Sequence, residues 1–217
     1  MKDKLLIFDM DNTILRSHID FFHMHRVIAD FLREKGLHAY IRRSTSESIM
    51  AYEDSAQFDP ALAAEMWRLV AEIEDKGMIG AELEPGMPEA FVYLSQFAEI
   101  AVLTNNTECN LDAHLGEMGI LSYVGCTAGR ESVPKLKPYA DGMQWVMAHF
   151  PHVDSDQVLA IGDAVIDAVA AAGCPIKFVA YNRSRKENWD RSPYPPLLKL
   201  TTWNRESCDA LLQALCG

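Results

Sequence analysis

No stretch of this 217-residue chain approaches the ~20 consecutive apolar residues that a membrane-spanning helix needs, which excludes a helical membrane protein. Positive charge is scarce: 20 Lys and Arg stand against 31 Asp and Glu, a formal net charge of −11. Phosphate backbones and anionic lipid surfaces select basic faces, so this balance speaks against a nucleic-acid or membrane partner. It still permits a small phosphorylated ligand, because a local pocket can be basic on an acidic protein. Cysteine is sparse. Cys109, Cys126, Cys174, Cys208 and Cys216 are odd in number and scattered, with no paired metal-ligand spacing. They read as reduced thiols of a cytoplasmic protein. No secretory leader is expected, since the N-terminal apolar run is short and meets Asp9 at once. Internal repeats and low-complexity segments are also missing. What remains is an ordinary globular composition, long enough to bury a core without disulfides.

The most informative segment is the first one. Leu5-Leu6-Ile7-Phe8 is a short apolar run ending in Asp9-Met10-Asp11-Asn12-Thr13. A run of this kind reads as a buried strand of a parallel sheet. In open α/β sheets ligands bind beyond the carboxyl ends of the strands. Two carboxylates at such an exit are costly to keep charged without a cation or partner.

A helical block follows. Phe21, Met24, Ile28, Phe31 and Leu32 recur at helical spacing and Gly36 ends the run. Ser44 and Glu47 form a capping-box pattern for a second helix. Asp59-Pro60 starts a third, with Leu62, Met66, Leu69, Val70 and Ile73 on one face and Gly77 expected after its end. From Pro85 onward strands and helices alternate. The expected elements are a helix from about Met87 to Gln96, a strand at Ile100–Leu103, a helix from about Glu108 to Met118 and a weak strand near Tyr123. Next come a helix from Pro138, a strand at Val158–Ile161, a helix to Ala172 and a strand at Lys177–Ala180. The tail reads as a polar, Pro-rich stretch (Ser192 to Pro196) and a last helix near Ser207–Leu215. Such alternation implies a parallel sheet with helices on both faces. The helical block leaves the chain beside Asp11 and is expected to lie over that sheet edge as a lid.

Four short elements sit at strand ends or helix starts. The first is Asp9-x-Asp11-x-Thr13. The second is Leu103-Thr104-Asn105-Asn106, where a hydroxyl and backbone amides suit phosphate oxygens. The third is Lys137-Pro138, with Lys135 as a competitor; Pro138 fits a first helical position and so favours Lys137. The fourth is Gly162-Asp163 with Asp167 beyond it. Two strand ends that both present carboxylates suit a hard cation with oxygen ligands. The basic stretch Arg183 to Lys186 reads as a solvated turn.

In this order the four elements resemble the motifs of the haloacid dehalogenase-like superfamily, and the likeness extends over essentially the whole chain. The helical insert resembles the helical-cap subclass, which contains phosphoglycolate phosphatases and β-phosphoglucomutases. Many relatives carry Gly where Asn12 stands; Asn tolerates left-handed backbone better than most residues. The resemblance implies an α/β fold: a three-layer Rossmann-like parallel sheet core (1–15 and 85–217) with an inserted all-helical cap (16–84). It also implies a Mg²⁺-dependent phosphoric monoester hydrolase acting on a small phosphorylated metabolite, as a monomer or homodimer. Asp9 would attack phosphorus, staying ionised at neutral pH as carboxylates ordinarily do. Asp11 would protonate the leaving oxygen and then activate water. Thr104, Asn105 and Lys137 would bind the transferring group, with Asn105 also helping to position Asp9. Asp9, the Asp11 carbonyl and Asp163 would hold Mg²⁺, and Asp167 would orient Lys137 or a metal-bound water. His18, His23, His25, Arg26, Arg42, Arg43 and Trp67 are the insert's candidates for reading the leaving group.

The same motifs serve a phosphomutase, in which the phosphoryl group passes to a sugar. Dehalogenation in the family uses one Asp and no metal, and Asp11 and Asp163 argue against it. A catalytically silent binding module is the remaining alternative.

Overall fold

The apolar run Leu5–Phe8 forms β1, and all four of its residues are buried. Its flanks are strands of the same kind, so no residue of β1 needs a polar face. The computed structural model describes residues 2–108, 111–181 and 188–216, with residue 216 as backbone only. The Cys109 and Cys216 thiols and the Arg183–Lys186 stretch lie outside the described residues.

In chain order the strands are β1, β2 (Leu15–Arg16), β3 (Glu82–Leu83), β4 (Glu99–Leu103), β5 (Cys126–Ala128), β6 (Val158–Gly162), β7 (Lys177–Tyr181) and β8 (Leu198–Leu200). The helices are α1 (Phe21–Glu34), α2 (Thr45–Glu53), α3 (Pro60–Met78), α4 (Met87–Leu94), α5 (Leu111–Glu117), α6 (Asp141–Ala148), α7 (Val165–Gly173) and α8 (Arg205–Cys216). Six strands form one parallel sheet in the order β5-β4-β1-β6-β7-β8. β1 is therefore central. Phe8 is level with Val102 of β4 and with Ile161 of β6, so three neighbouring strands end side by side. This is the Rossmann-like α/β sheet, and it brings Asp9, Thr104 and Asp163 to one edge.

The chain divides into two compact units, one of Met1–Arg16 with Glu82–Gly217 and one of Ser17–Ala81. In the first, β2 and β3 pair antiparallel, Leu15 with Leu83 and Arg16 with Glu82. That two-residue ladder keeps both ends of the chain crossing with the sheet unit. The second unit contains α1, α2, α3 and a 3₁₀ turn at His38–Tyr40. Its core gathers Met24, Ile28, Leu32, Ile49, Tyr52, Met66 and Val70. Asp20, Ser44 and Asp59 cap the three helices by accepting from backbone N–H groups. The Glu47 carboxylate accepts from the Ser44 hydroxyl at 2.8 Å, which secures the cap at Ser44.

Several elements differ from expectation. Gly77 lies inside α3; a Cβ there would sit 2.5 Å from the Ile19 Cα, so the glycine serves close packing instead of ending the helix. Tyr123 lies in a 3₁₀ turn, and the strand comes later, at β5, where Ala101, Val102 and Leu103 provide partners. α6 begins at Asp141, beyond Pro138. β8 has no local sequence signal; three residues beyond a Pro-rich stretch carry no period, and their pairing to β7 makes the strand. Among the described residues no helix is long and apolar enough to cross a membrane. Cys126, Cys174 and Cys208 are free thiols.

Candidate active site

The loop after β1 is tightly wound. The Met10 carbonyl accepts from Ile14 at 2.9 Å and Leu15 at 3.0 Å, and Asn12 N–H donates to Leu15 at 2.6 Å. Asn12 has φ of 57°, the left-handed conformation that Asn tolerates. From below, the indole of Trp203 donates to the Thr13 carbonyl at 3.0 Å and stacks on Tyr181 at 4.8 Å. The loop that carries Asp9 and Asp11 is thus fixed by its own turn and by an aromatic floor.

Lys137 is the hub of the site. Its side chain is 1 % exposed, and its Nζ donates to Asp9 Oδ1 at 2.5 Å, Asp167 Oδ1 at 2.7 Å and the Leu103 carbonyl at 3.0 Å. Three acceptors saturate an ammonium, which is how a lysine can be buried charged. Burial alone would lower its pKa, but the Asp167 and Asp9 carboxylates outweigh it and raise the ammonium above its usual range. The competitor Lys135 lies over the Tyr139 ring at 4.9 Å. The placement of Lys137 does not come from Pro138. Instead Asn105 clamps the lysine backbone: its Nδ2 donates to the Lys137 carbonyl at 2.8 Å and its Oδ1 accepts from Lys137 N–H at 2.9 Å. Asn105 is linked to Asp9 through Lys137.

Asp9, Asp163 and Asp167 each offer a carboxylate oxygen, and these atoms lie within 4.8 Å of one another. Asp167 is the most committed of the three, with Oδ1 on Lys137 and Oδ2 accepting from Ala164 N–H at 3.0 Å. Burial pushes Asp9 up to about 7; Lys137 pulls against that, while Asp167 and Asp11 add to it. Burial pushes Asp163 up to about 9, with the charges of Asp9 and Asp167 adding to it. Ready ionisation at neutral pH, taken from the ordinary carboxylate value, therefore does not hold for Asp9 and Asp163 without a cation. Oxygen donors that crowd at low dielectric fit a hard divalent ion.

These raised values set a sign for stability. An acid whose folded pKa exceeds its unfolded one stabilises the fold at low pH, and that contribution fades as pH rises through the folded value. With metal chelated, thermal stability from this cluster is expected to fall between pH 3.8 and about 9. Asp163→Asn is expected to flatten that slope. Thermal unfolding across pH in chelator tests both.

Thr104 is buried at the end of β4, and its Oγ1 accepts from Asn106 N–H at 3.1 Å. Accepting that bond leaves its O–H proton for a ligand. Asn106 closes the same Leu103–Asn106 element, and the sequence assigns it no role of its own. It is buried, and its Nδ2 donates to Asp11 Oδ2 at 2.6 Å. Its only local signal is a polar residue three places beyond a buried strand. Gly162 closes β6 where a Cβ would overlap the Asp167 carboxyl. Gly162→Ala is expected to displace Asp167 and cost about 1–3 kcal/mol. A lower unfolding temperature together with weakened turnover would verify it.

The insert's candidates are placed within their own unit. Arg42 turns its guanidinium onto the Ala39 and Ile41 carbonyls, 2.8 and 3.1 Å away. Arg26 meets His23 at 3.2 Å, and Trp67 donates to Glu53 at 2.8 Å. Arg43 and His18 are exposed and His25 is half-buried.

Carboxylates at adjacent parallel strand ends, gathered about one buried lysine, form a candidate active site on an α/β fold. The chain belongs to the haloacid dehalogenase-like hydrolases: that family's model matches residues 6–181, from within β1 to the end of β7. It is 25% identical over 200 residues to a phosphoglycolate phosphatase of Pseudomonas putida, covering 84% of this chain and 72% of that protein. Among solved structures it resembles a HAD-superfamily hydrolase of subfamily IA, variant 1, from Geobacter sulfurreducens (TM-score 0.61, 21% identity, 96% of each chain). It also resembles a hydrolase from Pseudomonas syringae (TM-score 0.68, 15% identity, 97% of this chain and 98% of that one). Those two likenesses speak to the fold.

Proposed function

We propose that this hydrolase is a Mg²⁺-dependent phosphatase that cleaves a small phosphorylated metabolite through an aspartyl-phosphate on Asp9. The observation that carries the reading is Asp9 itself: a carboxylate just beyond the end of the central strand, held by Lys137 at 2.5 Å beside Asp163 and Asp167. In this reading residues 1–15 and 85–217 are the catalytic core and 16–84 the helical cap.

Asp9, the Asp11 carbonyl and Asp163 are the groups that would hold Mg²⁺. Bound there, the ion supplies charge neutralisation between the carboxylate and an incoming phosphoryl dianion. Asp9 offers its free oxygen in line to phosphorus. The Thr104 hydroxyl takes up an equatorial phosphoryl oxygen, and Lys137, whose three N–H groups already have acceptors, binds the phosphoryl group as a point charge. Asp167 holds Lys137 in place between two carboxylates. Asp11 gives its proton to the leaving oxygen, and the resulting carboxylate then draws a proton from the water that attacks the acyl-phosphate.

The test is a panel of phosphate monoesters with Mg²⁺: small phospho-acids including 2-phosphoglycolate, sugar phosphates and nucleoside monophosphates. Phosphate release that stops in chelator and returns with Mg²⁺ is the expected result. Sugar isomerisation without net phosphate release would transfer the site to a mutase. Turnover that persists in chelator would remove the metal from the account.

A further inference from the structure

We infer that Asn106 is a positioning residue for Asp11, fixing which carboxyl oxygen carries the proton delivered to the leaving group. The inference rests on the phosphatase reading above and adds a component to it.

Asn106 is a rigid donor. It is buried to 7 % exposure, its backbone N–H donates to Thr104 Oγ1 at 3.1 Å, and its carbonyl accepts from Arg130 N–H at 2.8 Å. Its backbone is tied on both sides before its side chain acts. That side chain then places Nδ2 2.6 Å from Asp11 Oδ2. A carboxylate only accepts, so the amide must turn its NH₂ toward it. Asp11 is held from its own side as well: it is 7 % exposed and lies in the turn closed on the Met10 carbonyl. With the backbone fixed and one oxygen pinned, little torsional freedom is left to the carboxyl.

The pinned oxygen has a chemical consequence. A proton on Oδ2 would face the amide N–H head on. The proton that Asp11 delivers is therefore placed on Oδ1, the oxygen that this inference turns toward the leaving group. Without Asn106 the carboxyl can rotate, and the proton is no longer presented in one direction. Such a loss is felt only where the leaving oxygen needs the proton in the transition state. An alkoxide needs it. A nitrophenolate leaves as the anion and does not.

The experiment is rapid-quench measurement of the enzyme-phosphorylation step with Mg²⁺, using an alkyl phosphate and p-nitrophenyl phosphate on wild type and Asn106→Leu. Leu keeps the side-chain size and leaves both backbone bonds in place. Asn106→Ala, which adds no apolar bulk, carries the same expectation and serves if the Leu variant does not fold. Phosphorylation by the alkyl ester is expected to fall roughly 100-fold, and by the nitrophenyl ester less than about threefold. Equal loss with both esters, or no loss with either, overturns the positioning role and leaves the phosphatase reading standing. A wild type that takes phosphate from neither ester overturns the phosphatase reading, and this inference with it.

Discussion

Asp9→Asn is expected to lower turnover by roughly 10⁴-fold or more, the scale on which losing a covalent nucleophile is felt. The amide keeps an oxygen to accept from Lys137, so the site geometry should survive. It cannot attack phosphorus, and it removes one charge from a crowded acidic cluster. Asp163 is raised first by burial and next by the charge of Asp9, so the substitution should relieve Asp163. The variant is thus expected to be as stable as wild type in chelator, and more stable at alkaline pH. Steady-state kinetics and thermal unfolding on the same preparation separate these outcomes. An inactive but unfolded variant would mean that Asp9 holds the fold together, which the account does not predict.

Lys137→Met should damage both stability and chemistry. The substitution keeps the apolar stem and removes the ammonium that three acceptors share. Breaking a buried ion pair from one side costs about 3–5 kcal/mol, because the surviving charge has no partner. For a chain of this size each kcal/mol shifts the unfolding midpoint by roughly 2–4 °C, so a fall on the order of 10 °C is expected. Asp9 can shed part of the strain by taking a proton, so the loss should be smaller in mild acid than in mild base. Arg at this position keeps the charge but lacks room, and it is expected to rescue stability poorly. Turnover should fall as well, through lost phosphoryl binding. A midpoint within a degree or two of wild type would contradict the buried-hub description.

Which parts were legible in the sequence follows from where the information sits. β1 is legible because a strand buried on both faces must be apolar along its length, and its end is marked by Asp9. β6 and Asp163 repeat that pattern, and parallel alternation then brings the two ends near each other. Pro138 reads as a helix start beside Lys137, yet α6 begins at Asp141. What fixes the lysine is Asn105, 32 residues earlier in the chain, through two hydrogen bonds to its backbone. No local pattern encodes such a clamp. Asn106 and Asp11 are likewise far apart in sequence, and their bond depends on β1 and β4 being neighbours. Trp203 and β8 belong to a tail that reads as loop, yet the indole supports Thr13 and the strand extends the sheet. Gly77 shows the opposite failure: a residue with a strong local meaning is used for packing against Ile19.

The most direct test is to find the phosphoryl group. Acid-quenched enzyme, sampled during turnover with Mg²⁺ and digested, should show one phosphoryl group on the peptide that contains Asp9. That adduct should be lost on treatment with hydroxylamine and missing from Asp9→Asn. Multiple turnovers with no adduct at any time, or an adduct on a different residue, would contradict nucleophilic attack by Asp9.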